Sequence, residues 1–262
     1  MAKHVVITGA SAGIGRELSF IFAGHGFVPI LIARNRPRLE ALQKEILART
    51  GQDSLVLPFD LSKSGAPQNI YDAVREQAAG PVFALVNNAG FGLHGRFAQT
   101  DLHEELNMID LNIRSLTHLT KLFLPGMIDA AQGKILNVAS VASFLPGPMM
   151  AVYYATKAYV LSFSEALHTE LKPYKITVTA LCPGPTKTEF AKRAKLDNSR
   201  MFNGHLMPVK DAHTVAMAGY RGLMKGKAIV VPGILNKLTI QVLRFTPRNL
   251  VRTLAYVIMQ KR

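Results

Sequence analysis

The chain has one cysteine, no tryptophan, and no acidic residue after Asp211. A lone Cys182 excludes a disulfide within the chain, and the usual Cys/His zinc spacings are absent. That scarcity suits a reducing compartment, so the expected localisation is cytoplasmic. The eight histidines show no ligand spacing, and no metal is expected. Long apolar runs are also missing: none approaches the roughly 20 residues that span a bilayer. The first strand pattern begins near Lys3, which leaves no room for a signal peptide. Repeats, low-complexity stretches and Ser/Gly/Pro-rich linkers are absent, so 1–262 reads as a single domain.

What is present is a hydrophobic content of 48% over 262 residues, enough for a sizeable core. The net charge is +14 and uneven, with nine Lys or Arg after Asp211. A basic surface can meet nucleic acid, anionic lipid or an anionic substrate. No nucleic-acid motif accompanies it, so nucleic acid is not an expected partner. The segment 233–262 reads as a basic amphipathic extension. Its apolar stretches 235–245 and 250–259 are split by Pro247 and carry Lys237, Arg244, Arg248, Arg252, Lys261 and Arg262. Such a segment either docks on the domain or a subunit partner, or lies in a bilayer interface as a peripheral membrane contact.

Short runs rich in Val, Ile and Leu predict strands at 4–8, 29–33, 55–59, 82–87, 134–140, 175–182 and 228–231. They alternate little, as strands buried on both faces do. Amphipathic stretches predict helices at 14–24, 37–50, 66–78, 102–128 and 151–171. Pro37 suits a first helical turn, and Gly51 suits a helix stop. Strand–helix alternation of this kind predicts an α/β fold, a parallel sheet with helices on both faces. Ligands of such sheets bind outside the carboxyl ends of the strands, so functional residues are expected just after strands.

The first strand runs into Thr8-Gly9-Ala10-Ser11-Ala12-Gly13-Ile14-Gly15. Glycines let the backbone approach a pyrophosphate, and a helix N-terminus offers free N–H groups and a positive dipole end. The spacing is Gly-x-x-x-Gly-x-Gly, not the commoner Gly-x-Gly-x-x-Gly. The second strand ends in Ala33-Arg34. An NAD site usually places an acid there for the ribose 2′-hydroxyl. Alanine removes that carboxylate, and Arg34 offers a planar fork of donors suited to a 2′-phosphate. Arg36 and Arg38 add positive charge nearby. The cofactor expected is therefore NADP(H). Asp60, after the third strand, either accepts a bond from the adenine amino group or caps a turn. Asn87-Asn88-Ala89-Gly90 ends the fourth strand, where its amides can stabilise the loop beneath the cofactor.

Tyr153 and Lys157 are four apart and share one helix face, whereas Tyr154 pairs with Ala158. A nearby ammonium favours a phenolate and lowers the phenol's pKa. Carbonyl reduction needs such a proton donor. Ser140 ends the fifth strand and is placed to hold a substrate oxygen, with Ser143 its rival. Asn112 lies mid-helix, where asparagine is a poor helix former. It is expected to hold a water that relays protons toward Lys157.

These pieces together resemble the short-chain dehydrogenase/reductase family over nearly the full length. The matching positions are Thr8 to Gly15, Asp60-Leu61, Asn87 to Gly90, Asn112, Ser140, Tyr153 with Lys157, and Pro183-Gly184 with Thr186 and Thr188. The resemblance implies a Rossmann-type single domain with a doubly wound parallel sheet, and a catalytic set of Asn112, Ser140, Tyr153 and Lys157, with Lys157 on the nicotinamide ribose. It implies cofactor contacts from Gly9, Ser11, Gly13, Ile14, Gly15, Arg34, Asp60, Leu61, Asn88, Ala89, Gly90, Tyr153, Lys157, Pro183, Gly184, Thr186 and Thr188. It also implies a homodimer or homotetramer through helices 102–128 and 151–171. Some NADP-preferring members carry a base just before the second glycine. Here that position is Ala12, so phosphate preference rests largely on Arg34.

The stretch 187–210 suits a lid over the substrate, with Phe190, Met201, Phe202, Leu206 and Met207 as apolar members. Phe91, Leu93, Val141, Phe144, Leu145, Met149 and Met150 are the other expected pocket walls. Their character points to a bulky apolar carbonyl or alcohol as the small-molecule substrate. A non-catalytic dinucleotide-binding regulator and a membrane-surface scaffold are the competing classes. A complete Ser140–Tyr153 pair argues against the regulator, and turnover of NADPH with a panel of carbonyls separates the classes.

Overall fold

The Val-, Ile- and Leu-rich runs form one parallel sheet in a computed structural model that describes residues 3–78, 80–196 and 209–259. Its strands are β1 (His4–Thr8), β2 (Val28–Ala33), β3 (Leu55–Pro58), β4 (Val82–Asn87), β5 (Gly133–Val138), β6 (Ile176–Leu181) and, at one edge, Ile229–Val230. Two further short strands, β7 (Thr186–Lys187) and β8 (Lys210–Asp211), pair with each other, which makes the edge strand β9. The order across the main sheet is β3-β2-β1-β4-β5-β6-β9. From β1 the chain winds outward to β2 and β3, then returns to β4 on the other side. The carboxyl ends of β1 and β4 therefore flank a crevice at the point where the winding reverses.

Both faces of the sheet are covered. On one side lie α1 (Gly13–Gly24), α2 (Arg36–Thr50) and α8 (Ala212–Met224). Leu18, Phe22, Leu39, Ile46, Val215 and Leu223 from these helices pack on Val5, Ile7, Leu31 and Val86 of the strands. On the other side lie α3 (Ala66–Gln77), α5 (Leu116–Asp129) and α6 (Ala151–Glu170). Ile70, Val74, Leu119, Phe123 and Met127 pack there on Val6, Ile30, Leu85 and Ile135. Consecutive residues of β1 thus enter opposite cores, which is why its sequence shows no polar alternation.

Local chemistry sets the helix ends. Asn35 accepts a bond from the Arg38 N–H, Pro37 occupies the first turn of α2, and Gly51 closes it in the left-handed region at φ 69°. Asp211 caps α8 through the Thr214 N–H. That helix lies outside the five the sequence pattern predicts. The helix expected over 102–128 is interrupted: α4 (Leu102–Ile109) and α5 flank a π-helical segment, Asp110–Ser115. Two short elements complete the outline, α7 (Phe190–Arg193) and a 3-10 turn at Val141–Phe144. The extension forms two helices, α9 (Ile234–Phe245) and α10 (Arg248–Met259), split at Pro247. No helix among the described residues is long and apolar enough to cross a membrane.

Candidate active site

Above the crevice a cleft of about 510 Å³ runs from Arg34 and Asp60 at one end to Phe190 and Leu196 at the other. Its floor is the glycine loop, and three side-chain-free positions there are dictated by contact. Gly9 sits at φ +64°, and a Cβ on it would lie 2.7 Å from Asn88 Nδ2. On Gly15 a Cβ would lie 2.3 Å from the Gly9 carbonyl oxygen. Gly13 is at φ +54°, against Thr188. Asn88 clips this loop to β4: its Nδ2 donates to the carbonyls of Thr8 at 2.9 Å and Gly9 at 3.2 Å. Thr8 Oγ1 donates to Val86 O and accepts from the N–H groups of Asn88 and Ala89. Asn87 instead points into the sheet, donating to Thr120 Oγ1 and Asn137 Oδ1. Its role is therefore structural.

The Ala12 cap of α1 makes no side-chain bond to the helix, so the first N–H groups carry no side-chain cap. Ser11, Ala12, Gly13 and Ile14 all line the cleft. This arrangement fits a pyrophosphate: close backbone approach, free donors and a positive dipole end. At the far wall Ala33 and Arg34 stand beside Asp60. Arg34 is exposed and makes no ion pair among the described residues. Arg36 and Arg38 are engaged, with Glu40 at 3.5 Å and with Glu189 at 3.0 Å. Of the three arginines, Arg34 alone is unpaired toward the cleft. Burial works against the Asp60 charge, but bonds from the Ser62 hydroxyl and N–H, with Arg34 and Lys63, hold its carboxyl below the ordinary value. Asp60 Oδ1 accepts both Ser62 bonds, at 2.7 and 3.1 Å, so the turn-capping reading holds whatever else it contacts.

The chemical groups meet in the middle of the cleft. Tyr153 and Lys157 project from α6, and Ser140 from the end of β5. The Ser140 side chain stands close enough to the Tyr153 phenol to draw its pKa down. It also accepts from the Ala142 N–H at 3.1 Å and donates to Pro183 O at 3.4 Å. Lys157 Nζ lies 5.9 Å from the Tyr153 ring centroid and donates to Val138 O at 2.8 Å. Ser143 faces away: its hydroxyl is spent on Lys157 O at 2.7 Å. Pro183, Gly184, Thr186 and Thr188 line the same cleft.

At the phenol burial dominates and pushes Tyr153 up to about 12, opposed by Ser140. Burial also draws Lys157 down to about 8. The Asn112 side-chain amide is bonded within the fold. Its Oδ1 accepts from the Phe91 N–H at 3.1 Å, and its Nδ2 donates to Phe91 O and Thr156 Oγ1, each at 3.0 Å. Asn112 is a buried clamp joining the Gly90–Phe91 loop to α6. The π-helical segment is what turns it toward that loop.

Of the expected pocket walls, Phe91, Val141 and Met150 line the cleft, joined by Leu111, Tyr154, Phe190 and Leu196. Phe144 and Leu145 line a separate groove, and Leu93 and Met149 pack in the cluster behind the wall. Met201, Phe202, Leu206 and Met207 of the expected lid lie outside the described residues. Sequence reasoning missed Arg193, which stands at the substrate end over the Phe91 ring and pairs with Glu104 at 3.1 Å. It also missed Asn236 on α9, packed against Gly184. Neither has a local signal, since both contacts join segments far apart in the chain.

Residues 3–199 match the family model for short chain dehydrogenase, and the chain belongs to that family. It is 32% identical over 200 residues to the human very-long-chain 3-oxoacyl-CoA reductase. It is 35% identical over 196 residues to the rat 17-beta-hydroxysteroid dehydrogenase type 3. These alignments cover 74% and 73% of this chain, and 63% and 62% of the relatives, so the chain spans less than two thirds of their length. Among solved structures, a short-chain dehydrogenase from Sphingobium yanoikuyae in complex with NADPH superposes with a TM-score of 0.83. It has 31% identity and covers 95% of this chain and 94% of its own. The bulky-bulky ketone specific alcohol dehydrogenase from Comamonas testosteroni has a TM-score of 0.77 and 28% identity, covering 94% and 95%.

Proposed function

We propose that the protein is an NADP(H)-dependent oxidoreductase that interconverts a bulky apolar carbonyl compound and its alcohol. The observation that carries this reading is the buried Tyr153 phenol beside Ser140 and Lys157, on the wall of the same cleft whose floor is a glycine cradle. The cradle, the uncapped α1 and Arg34 would hold the dinucleotide phosphates. Lys157 would reach the nicotinamide ribose, with Pro183, Gly184, Thr186 and Thr188 along the ring. When bound, the nicotinamide supplies or accepts the hydride.

The protein's own groups handle the proton. In reduction, Ser140 and Tyr153 position the carbonyl oxygen, and the buried phenol, protonated at neutral pH, donates to it. Charged Lys157 then favours the phenolate left behind. In oxidation the phenolate takes the alcohol proton back. The apolar half of the cleft, with Phe91, Met150, Tyr154, Phe190 and Leu196, supports a bulky apolar substrate. So do the names of the relatives and of the Comamonas enzyme. The exposed Leu102, Leu106 and Tyr159 on α4 and α6 support subunit pairing there, as a dimer or tetramer.

A screen of ketones, aldehydes and alcohols with both cofactors tests the proposal. NADPH oxidation with bulky apolar ketones or aldehydes is the expected result. Tight NADPH binding without turnover of any carbonyl would replace it with a binding role.

The site also sets a pH dependence. Lys157 loses its charge above about 8, while Tyr153 keeps its proton to about 12. The kcat/KM for reduction should therefore fall as pH rises through about 8. Between that value and the ordinary lysine value of 10.5 the unfolded chain binds the extra proton, so this group's contribution to stability rises with pH. A fall in rate without a fall in thermal stability would assign the limb to Lys157. A profile flat through that region would remove Lys157 from the electrostatics.

A further inference from the structure

The two helices of the extension dock by one face and leave a second apolar face bare. On α9, Asn236 and Ile240 are buried. Asn236 Nδ2 donates to Pro232 O at 2.7 Å. On α10, Val251, Ala255 and Met259 are buried, and the Met259 carbonyl bonds His94 at 3.0 Å. The helices are therefore held in place. Yet Ile234, Leu235, Leu238, Val242 and Phe245 all point outward, with Ile234 74% and Phe245 88% exposed. At about 100° per residue they fall within one quadrant of the α9 surface, on the far side from Asn236 and Ile240. Leu250, Leu254 and Val257 make a matching outward stripe on α10. A soluble monomer rarely leaves apolar surface of this kind uncovered.

Charge decides what covers it. Lys237, Arg244, Arg248 and Arg252 are exposed on these two helices and make no ion pair among the described residues. No acid accompanies them anywhere after Asp211. A second copy seated two-fold on this face would set these bases against their own images with no acid to answer them. An anionic bilayer answers both features at once, apolar stripe and bases. Arg248 and Arg252 instead turn toward the domain, on the side of Val251 and Ala255, and border a groove of about 440 Å³ whose walls include Phe144, Leu145, Pro146 and Tyr154. Tyr154 lines this groove and the substrate cleft alike.

We infer that α9 and α10 seat the protein on an anionic bilayer surface, with the substrate end of the cleft facing the lipid. Phe245, Val242 and Leu238 enter the acyl boundary while Lys237 and Arg244, which flank that stripe, meet phosphate headgroups. The seat does not depend on the reaction, and it places an apolar substrate dissolved in the bilayer beside the cleft.

The test is flotation of the full chain with phosphatidylcholine vesicles, with and without phosphatidylglycerol, at low and raised salt. Wild type should float with the phosphatidylglycerol vesicles and release as salt is raised. Leu238→Glu with Phe245→Glu should weaken that binding about tenfold or more. Lys237→Glu with Arg244→Glu should remove the preference for anionic lipid. Both variants should keep NADPH binding. Hydrogen exchange on the wild type supplies a readout free of any variant, and 234–259 should slow on the vesicles. Wild type that stays unbound at low salt, or a glutamate variant that binds as wild type does, overturns the inference. So does a Leu238→Glu/Phe245→Glu protein whose only change is a smaller assembly in solution, which would give the face to a second copy.

Discussion

Tyr153→Phe is expected to bind NADPH as wild type does and to lose turnover by roughly 10²–10⁴-fold, the span of general acid–base groups. The substitution keeps everything about the residue except the proton donor. The ring is buried, lies edge-on to Tyr154 at 6.0 Å and tilts against Phe190 at 5.3 Å. Phenylalanine preserves those contacts. What disappears is the hydroxyl beside Ser140. In the proposed site the dinucleotide would rest mainly on the glycine loop and Arg34, which the change does not touch. Tyr154→Phe is the control. That ring packs on Gly147, where a Cβ would lie 2.2 Å from it, so its place is set by shape. Its loss of hydroxyl should change turnover less than about tenfold. Steady-state kinetics with NADPH and a reactive ketone, beside a fluorescence titration of NADPH, separate the two. Near wild-type turnover in Tyr153→Phe would remove it from the chemistry, and an equal loss in Tyr154→Phe would show that the ring pair acts by packing.

The fold was legible because strands buried on both faces and a glycine turn write themselves locally. Residues 4–8 followed by Gly9, Gly13 and Gly15 contain the strand, the turn and the helix start in one short stretch. Tyr153 and Lys157 were legible for the same reason, since a spacing of four fixes a shared helix face. Ser140 needed one tertiary assumption, that the end of β5 lies beside the start of α6, and the fold meets it. Asn112 shows where local reading stops. Its position mid-helix was noticed, but its partners Phe91 and Thr156 lie 21 and 44 residues away. No pattern around Asn112 names them. The π-helical segment that aims it follows from the same tertiary bonds, so the helix was expected to run unbroken. The burial of the Tyr153 proton has no local sign for a related reason. Desolvation depends on everything packed around a group, and the apolar wall built by Met150 and Phe190 comes from separate elements. The Arg38–Glu189 pair spans 151 residues and likewise has no local sign. It changes the reading of the cofactor end, because it removes Arg38 from the supply of free cations.

That removal sharpens the second large effect, which concerns cofactor choice. Wild type should favour NADPH over NADH in kcat/KM, and Ala33→Asp combined with Arg34→Ala should reverse the order. Arg36 is held by Glu40 and Arg38 by Glu189, so the 2′-phosphate depends on Arg34. A hydrogen bond to a charged group contributes about 1.5–3 kcal/mol, so losing it should lower the NADPH-to-NADH ratio by about tenfold or more. The effect does not end with the lost bond. Arg34 is one of the charges that steady the Asp60 carboxylate across the cleft. Without it, Asp60 faces a phosphate with less compensation, and the new acid at position 33 adds a second repulsion. The same acid offers the ribose 2′-hydroxyl of NADH an acceptor. Repulsion of one cofactor and attraction of the other act together, and a reversal follows where either substitution alone would only narrow the gap. The ratio of kcat/KM values for the two cofactors with one ketone, in wild type, each single variant and the double variant, measures this. A wild-type preference for NADH would overturn the assignment of Arg34. A double variant that still prefers NADPH would move phosphate recognition to another cation of the cleft, with Arg38, released from Glu189, the first candidate.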